Sequence, residues 1–434
     1  MKLLIKNLGI ISRGEVKIDG LTVIAGENDA GKSTVGKLFF SLIKAISRYK
    51  EDVIEDKDDG IAERIEDIYI TLRRLINVNE NTVLKETFNP NFFYREVRED
   101  ELEAVEYRID MLESLQTENK ASRFILKGKL IRKLNNLKDY ILEPTDKESI
   151  IRKAISKSLY SEFKGGLFPA GQDENIQSGI FIKDGESEVV DILWGKEKVD
   201  EVCFYDDVGL GFKDVTFVDD TSVLQYHELF LYDNAVGGAE YKAIPFHARD
   251  LSEKLKIRVF DELLTEYRGL SRSLSDIYKG NMQYNRQASD FFLDRGNYKI
   301  PSANVATGIK SLGILDLLIK SGACNSDNLL ILDEPEVNLH PKWQIEVARV
   351  IVGLVSQGAK IIITTHSPYM LEALEGFSRM EALDSNFYLA KKINGTSEIV
   401  DVSGDVGIVV EQLAQPLFDL HEELERFEYG SKGE

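Results

Sequence analysis

The first 45 residues alternate between short apolar runs and turn residues before a helical pattern begins. β-type runs occur at Leu3–Ile5 and Glu15–Ile18, and Ser12-Arg13-Gly14 separates them. Leu21–Ala25 predicts a buried strand. From Lys32 to Ile43 the apolar residues recur every three to four positions. This segment therefore predicts strands, a glycine-rich turn and then a helix.

The hydrophobic pattern changes over residues 46–163. This stretch is rich in Glu, Lys, Arg and Leu, and its apolar residues recur at helical spacing, as from Ile61 to Leu72. Strict heptads are not sustained for three or four repeats, so we predict helices but no long coiled coil. Residues 166–245 show short β-type runs between Gly and Asp turns, and a helical pattern returns from Ala248 to Tyr278.

The last third of the chain alternates helical and strand patterns. Leu312–Ile319 and Gln344–Val355 have helical spacing, while Leu329–Leu332 and Lys360–Thr364 are short apolar runs. Such alternation predicts βαβ units and a parallel sheet, so the predicted fold class is α/β. Two further β-type runs flank Asn394-Gly395, a dipeptide that favours a two-residue hairpin turn.

Composition narrows the class of protein. Of the 434 residues, 43% are hydrophobic and 29% are charged, which is typical of a globular chain of roughly two or three domains. No apolar run approaches the ~18 residues of a membrane span, and the N-terminus lacks a signal-peptide core and cleavage site. Two cysteines cannot form a disulfide framework or a four-ligand zinc site. We therefore expect a cytoplasmic protein without a membrane partner.

The net charge of −20 bears on nucleic-acid binding. Non-specific binding through the whole surface depends on neutralising phosphates, so an acidic chain disfavours that mode. A local basic patch remains compatible with this charge.

A phosphate-binding loop follows the buried strand of the first segment. Residues 26–33 fit the pattern G-x-x-x-x-G-K-[ST] without mismatch. The glycines let backbone N–H groups point at phosphate oxygens, and the helix N-terminus adds a positive partial charge. Lys32 would bridge the β- and γ-phosphates of ATP, and the Ser33 hydroxyl would bind Mg²⁺. The predicted ATP-binding positions are Gly26, Glu27, Asn28, Asp29, Ala30, Gly31, Lys32, Ser33 and Thr34.

Two later strands also end in polar side chains. Asp333 and Glu334 follow one buried strand, and His366 follows the next. At the carboxyl edge of a parallel sheet, where ligands bind, Asp333 is placed to hold Mg²⁺ and Glu334 to polarise the attacking water. His366 is a candidate contact to the γ-phosphate. The predicted catalytic residues are thus Lys32, Glu334 and His366.

These three elements, in this order, resemble the ABC-type ATPases of the SMC and RecF group. The closer likeness is to prokaryotic ATPases allied to the OLD (overcoming lysogenisation defect) family. The matching motifs are Gly26–Thr34, Asp333–Pro341 and Thr365–Pro368, within residues 1–45 and 290–405. The resemblance implies a P-loop NTPase fold of ABC-ATPase type with a split two-lobe head, an antiparallel β subdomain and a helical insertion. It also implies a head-to-tail dimer that holds two ATP molecules between its subunits.

The resemblance assigns further positions. Residues 302–311 stand where the family has a signature that reaches the γ-phosphate of ATP bound to the other subunit. Ala306 replaces the usual Ser there, so backbone N–H groups or Thr307 would substitute and turnover would be slow. Gln225 is a candidate metal ligand, and Arg13 is a candidate nucleotide contact. The signature positions are Ala306, Thr307, Gly308 and Lys310.

The two motif-bearing parts lie far apart in the sequence. Lys32 and Asp333 are 301 residues apart (333 − 32), which leaves room for more than a hundred inserted residues. We expect four segments, listed here in chain order. They are an N-terminal ATPase segment (1–45), a helical insertion (46–165), the β-rich remainder of the first lobe with connecting helices (166–289) and a C-terminal ATPase lobe (290–434).

One stretch of the insertion is strongly basic. Residues 120–138 contain seven Lys or Arg residues, from Lys120 to Lys138, and no acid. One interpretation is a contact with nucleic acid or an acidic partner. The other is a solvated helix face paired with the acidic runs at 51–59 and 96–106.

Three functions remain open from the sequence. The first is an ATPase that dimerises on ATP and drives or gates a separately encoded nuclease or toxin, as the resemblance implies for anti-phage defence. Only 68 residues follow His366 (434 − 366), too few for the Toprim nuclease domain of many OLD-like proteins. The second is a RecF/SMC-like DNA-binding ATPase in repair or chromosome maintenance. The third is a nucleotide-binding scaffold with slow turnover.

Overall fold

The chain divides into two compact units. The first comprises Met1–Ser47 with Ile151–Glu434, and the second comprises Arg48–Ile150. The computed structural model describes residues 1–75, 82–100, 102–114, 121–143, 147–167, 178–194, 199–205, 210–227, 244–257 and 268–430. Over these ranges, the helices lack the combined length and apolar character that a membrane crossing requires.

The described strands form one large mixed sheet and one small antiparallel sheet. In chain order they are β1 (Lys2–Leu8), β2 (Ile11–Lys17), β3 (Leu21–Gly26), β4 (Ser178–Asp184), β5 (Ser187–Trp194), β6 (Val199–Phe204), β7 (Asp214–Val218), β8 (Asn281–Asn285), β9 (Asp290–Asp294), β10 (Lys299–Pro301), β11 (Asn328–Asp333), β12 (Lys360–Thr365), β13 (Ser385–Ile393) and β14 (Thr396–Asp401).

The described helices occur in both units. In chain order they are α1 (Lys32–Leu75), α2 (Thr82–Thr87), α3 (Pro90–Glu99), α4 (Glu103–Ser114), α5 (Ala121–Leu142), α6 (Lys147–Phe163), α7 (Ser222–Gln225), α8 (Phe246–Lys254), α9 (Arg268–Tyr278), α10 (Thr307–Lys320), α11 (Pro341–Ser356), α12 (Pro368–Met380) and α13 (Val406–Gly430).

The large sheet has the order β6-β5-β4-β1-β2-β14-β13-β3-β12-β11-β7. Neighbours from β13 to β7 are parallel, whereas β6, β5, β4, β1 and β2 pair antiparallel. The α/β prediction, with a parallel sheet and an antiparallel β subdomain, is confirmed. Because β3, β7, β11 and β12 run the same way, their carboxyl ends meet at one edge.

The parallel strands are buried for a clear reason. All six residues of β3 are buried, as are the apolar residues of β11 and β12. Helices cover a parallel sheet on its faces, so its strands consist of continuous apolar runs. Two of these helices, α11 and α12, begin with Pro at their first position after a capping His340 and Ser367. Proline suits that position because its missing N–H would have no helical partner.

The Asn-Gly hairpin prediction is confirmed, but the first turn prediction is wrong. Asn394 and Gly395 have φ of 50° and 86° and connect β13 to β14, as a primed turn requires. The predicted break at Ser12-Arg13-Gly14 instead lies inside β2, and the turn precedes it. Gly14 suits a strand there because an added Cβ would lie 2.9 Å from Ile399 Cγ1 on β14.

The helical prediction for Ala248–Tyr278 agrees with the described part of the structure, whereas the segment after it forms a small sheet. α8 and α9 account for the helical pattern where it is described, and residues 258–267 lie outside the described part. The small sheet of β8, β9 and β10 follows, and its residues gave no strand prediction.

Helices alone form the described part of the second unit. Their apolar faces pack around fifteen buried residues, including Leu130 and Leu134 of α5. Arg108 is 1% exposed and donates to the carbonyl oxygens of Thr87 and Ala104 and to Glu96. Burial lowers the pKa of Arg108, against the opposing contribution of Glu96.

Candidate active site

The phosphate-loop lysine lies buried beneath its own loop. α1 begins at Lys32, directly after β3 and a turn in which Gly31 has a φ of 85°. Lys32 is 3% exposed, and its Nζ donates to the carbonyl oxygen of Glu27 at 2.9 Å. The same Nζ lies 3.4 Å from Oε1 of Glu334. The structure therefore brings together two predicted catalytic residues that are 302 positions apart in the sequence (334 − 32).

Neighbouring strands fix the loop backbone. An added Cβ on Gly26 would lie 2.7 Å from the carbonyl oxygen of Ala390 on β13, so only glycine fits there. Ser397 of β14 is fully buried and donates to the carbonyl oxygen of Ala30 at 2.7 Å. Residues 27–29 of the loop remain exposed to solvent.

Asp333, a predicted Mg²⁺ ligand, lies beside the loop serine Ser33. Asp333 ends β11 and accepts hydrogen bonds from Thr364 and Ser33. Burial raises the pKa of the Asp333 carboxyl, against these two hydrogen bonds, which lower it. A hydroxyl and a carboxylate are hard oxygen donors of the kind that Mg²⁺ prefers, so Ser33 and Asp333 fit this ion.

The backbone at Glu334 adopts a rare conformation. Its φ is 48°, a left-handed value that is uncommon for a residue other than glycine. The Glu334 N–H donates to the backbone oxygen and to the hydroxyl of Thr364, each at 3.1 Å. Positive φ at such residues costs about 1–3 kcal/mol and concentrates at functional sites. Here it accompanies a carboxylate whose oxygen lies 3.4 Å from Lys32 Nζ.

His366 is the third predicted catalytic residue at this sheet edge. Its Nδ1 lies 3.3 Å from Glu334 Oε1, and its side chain is 41% exposed. Its backbone N–H donates to Oε1 of Glu336 at 2.9 Å, and Thr365 Oγ1 donates to the same oxygen at 2.6 Å. Glu336 is 3% exposed, and burial raises its pKa.

Two buried side chains support this strand end, and sequence reasoning gave neither a role. Glu336 belongs to the Asp-Glu-Pro-Glu motif, but the motif alone does not indicate that its side chain is buried. Gln344 of α11 accepts from Ser367 Oγ at 2.6 Å and donates to the Leu339 carbonyl at 3.0 Å. It thereby joins the loop after β11 to the cap of α12.

The signature positions lie at the N-terminus of α10. Ala306 caps this helix without a side-chain hydrogen bond, and Ala306 and Thr307 are exposed. Gly308 is buried, where an added Cβ would lie 2.6 Å from the Asn338 carbonyl oxygen. Thr307 lines one pocket together with Asp333.

Gln225, the candidate metal ligand, makes a different contact. Its Oε1 accepts from Lys310 Nζ at 3.2 Å, and its Nε2 donates to the Tyr226 hydroxyl at 3.1 Å. Burial lowers the pKa of Lys310. Arg13 is exposed in β2, where it pairs with Lys6 and Glu398 of adjacent strands.

The basic stretch of α5 is partly neutralised. Lys133 contacts the Asp67 carboxylate and donates to Thr71, and Lys138 contacts Glu106 at 2.5 Å. Lys129 and Arg132 are exposed. Lys120 lies outside the described residues.

Residues 246–371 match the family model of the AAA ATPase domain. A 68-residue segment is 38% identical to the Old nuclease of Escherichia phage P2, and a 47-residue segment is 40% identical to the Septu protein PtuA of Bacillus thuringiensis. These segments are 15% and 11% of this chain, and the chain spans only 12% of the length of either relative.

The fold is α/β with one large mixed sheet, and the segment that carries most of the motifs is similar to an AAA ATPase domain. The AAA ATPase match includes residues 302–311, Asp333, Glu334 and His366. Two solved structures are also similar at low superposition scores. The SMC head domain from Thermotoga maritima matches with a TM-score of 0.36 and 13% identity, over 92% of this chain and 98% of that one. An Smc head bound to the C-winged helix domain of ScpA matches with a TM-score of 0.42 and 12% identity, over 94% and 98%.

Proposed function

We propose that this P-loop ATPase fold binds ATP with Mg²⁺ and hydrolyses the γ-phosphate. One observation carries the proposal: Glu334 Oε1 lies 3.4 Å from Lys32 Nζ and 3.3 Å from His366 Nδ1. Three strands and one loop that are distant in sequence place a cation, a carboxylate and an imidazole at one sheet edge. A turn with only a structural role would not require all three of these side chains.

Each side chain has a defined part in this reaction. Lys32 exchanges its contacts with Glu27 and Glu334 for phosphate oxygens, and so neutralises charge that develops on the leaving group. Glu334 is then free to orient the attacking water and accept its proton. His366 donates a hydrogen bond toward the γ-phosphate.

Ser33 and Asp333 would hold Mg²⁺. The ion supplies charge neutralisation between the β- and γ-phosphates when it is bound. The Thr364 hydroxyl donates to Asp333 Oδ1 and so holds this carboxylate at the end of β11.

Phosphate release tests the proposal. Lys32→Ala should abolish ATP binding and hydrolysis, and Glu334→Gln should remove hydrolysis, because general-base positioning contributes about 10²–10⁴-fold to such rates. Glu372→Gln, an exposed glutamate on α12, is the matched control and should retain the wild-type rate. Wild-type turnover in Glu334→Gln would refute the assignment of the base.

We further propose that ATP is sandwiched between two copies of the chain. The exposed N-terminus of α10, with Ala306 and Thr307, supports this proposal because an exposed helix N-terminus can accept phosphate oxygens from a second subunit. Since Ala306 offers no hydroxyl, we expect slow turnover.

Complementation between two inactive variants tests the shared site. Lys32→Ala damages only the phosphate loop, and Thr307→Arg blocks only the signature. In a two-fold dimer, an equal mixture should recover about one quarter of wild-type activity, because half the dimers are mixed and each has one intact site. No recovery in the mixture would argue that each chain works alone.

The effector proposal is that the ATPase cycle gates a separately encoded nuclease or toxin in the cytoplasm. Short similarities to the Old nuclease and to Septu protein PtuA support a defence context. Phage challenge of cells that express this chain with its neighbouring genes tests it. Lys32→Ala should abolish protection, and equal protection would contradict the proposal.

Nucleic-acid binding by α5 is the less favoured alternative. Lys133 and Lys138 are already paired with acids, which reduces the charge available to phosphates. Salt-sensitive DNA binding that disappears in Lys129→Glu/Arg132→Glu would reverse this preference.

A further inference from the structure

A row of charged side chains, Glu162, His247 and Asp219, ends at the sheet edge that carries Asp333. His247 on α8 is 3% exposed, and its Nε2 lies 3.0 Å from Asp219 Oδ2. Its Nδ1 contacts Glu162 of α6, whose side chain is fully buried, and the backbone N–H of His247 donates to the other oxygen of that carboxylate at 3.0 Å. The rings of Phe40 and Phe217 enclose the imidazole, at centroid distances of 6.1 and 5.1 Å.

Strand register places Asp219 beside the Walker B residue. β7 and β11 are parallel, and Val218 pairs with Leu332. The next residues, Asp219 and Asp333, therefore leave the sheet at the same level. Both line one pocket together with Glu334.

This arrangement keeps the Asp219 carboxylate negatively charged close to the Asp333 carboxylate. Burial would raise the pKa of Asp219, but its hydrogen bond to His247 and the positive charge of that ring lower it, with a smaller contribution from Lys37. An ionised Asp219 and the Asp333 carboxylate then repel one another across the pocket. A bound cation relieves this repulsion.

The amide oxygen of Gln225 accepts a hydrogen bond from Lys310 Nζ, so this oxygen is already occupied and is a poor candidate for a metal ligand. Across the residues that the structure covers, groups of three or more acidic, His or Cys side chains arranged to hold a metal are absent. A Mg²⁺ ion held by few protein ligands keeps several of its waters, and those waters need acceptors.

We propose that Asp219, and not Gln225, orients metal-bound water in the Mg²⁺·ATP site, with His247 and Glu162 as the positioning residues that hold its carboxylate. This inference rests on the proposed ATP-binding function. It assigns a role to a buried network that the hydrolysis mechanism otherwise leaves unused.

The test measures metal dependence rather than turnover. Binding of a fluorescent ATP analogue is titrated against Mg²⁺ in the non-hydrolysing Glu334→Gln protein, with and without Asp219→Asn. Loss of such an outer partner weakens metal affinity by about 10–100-fold. We expect the Mg²⁺ concentration for half-maximal binding to rise by that factor, while nucleotide affinity in EDTA stays unchanged. Mn²⁺ electron paramagnetic resonance of the same samples reports the altered water shell directly.

Two further variants complete the design. Glu372→Gln makes the same charge change at an exposed glutamate of α12 that does not line this pocket, and it should leave the Mg²⁺ requirement unaltered. His247→Gln keeps the Asp219 carboxylate and should raise the requirement by a smaller factor. If Asp219→Asn does not fold, His247→Gln provides the test of the proposal.

The outcomes separate the two proposals. An unchanged Mg²⁺ requirement in both Asp219→Asn and His247→Gln overturns the inference and leaves ATP binding intact. Equal weakening with Mg²⁺ and with EDTA also overturns it, since that pattern indicates a structural role. If the Glu334→Gln parent binds no nucleotide at all, the proposed function fails and the inference fails with it.

Discussion

The pH dependence of unfolding should reveal His247 as the charged centre of a buried network. Burial lowers the pKa of this imidazole, but hydrogen bonds and charges from Asp219 and Glu162 outweigh burial and raise it from 6.5 to about 9. Each pKa unit corresponds to about 1.4 kcal/mol. A shift of that size therefore contributes about 3 kcal/mol to the free energy of unfolding.

Proton linkage gives the direction in which the free energy of unfolding changes with pH. The folded pKa lies above the unfolded value, so the folded chain binds the proton more tightly. The contribution is fully present below pH 6.5 and is lost as the pH rises through about 9. His247→Gln cannot gain this proton, so its stability should lack that part of the pH dependence.

Urea unfolding followed by tryptophan fluorescence measures the effect. Trp194 and Trp343 both belong to the unit that contains His247, so the fluorescence reports on that unit. The free-energy difference between wild type and His247→Gln should shrink by about 3 kcal/mol across the window. Parallel curves for the two proteins would refute the reasoning. Histidine NMR gives a direct check, because the resonance absent from His247→Gln should not titrate near pH 6.5.

Substitutions at three other positions have defined outcomes. Glu336→Ala leaves the Thr365 hydroxyl and one backbone N–H without their acceptor, at about 1–3 kcal/mol each, so thermal stability and phosphate release should both fall, while Glu336→Gln retains an acceptor and most of both. Gly26→Ala forces a Cβ to 2.7 Å from a carbonyl oxygen, so ATP affinity should drop in a binding titration, and wild-type affinity would contradict the rigid loop. Arg108→Ala removes a buried side chain with several hydrogen bonds, at a cost of about 3 kcal/mol, and hydrogen exchange should rise within residues 48–150 and not in the other unit.

The sheet edge was predictable because its information is local. Each strand that leads into the site is a short apolar run, and the phosphate loop from Gly26, Asp333 and His366 follow these runs directly. Parallel strands that share one direction must bring such positions together. The assignment of nucleotide roles to these residues remains a prediction until the binding and hydrolysis experiments above are done.

The supporting contacts could not be predicted from local sequence. His247 and Glu162 are 85 positions apart, and neither belongs to a motif or a periodic pattern that specifies its partner. The position of Gln225 depends on a tertiary contact with Lys310 for the same reason.

The small sheet and the first half of β2 were not predicted because their local patterns are weak. The strand Asn281–Asn285 consists mostly of polar residues and lacks apolar alternation, so only pairing with its neighbour identifies it. Gly14 favoured a turn in the sequence, but it lies in a strand because β14 approaches it closely.

The nucleotide recovered from Glu334→Gln tests the central claim most directly. The variant keeps Lys32 and the phosphate loop, so it should still bind ATP, while the loss of the general base should slow hydrolysis by about 10²–10⁴-fold. After incubation with labelled ATP and Mg²⁺, the account predicts bound ATP in the variant and ADP in the wild type. Bound ADP in Glu334→Gln, formed at the wild-type rate, would contradict it.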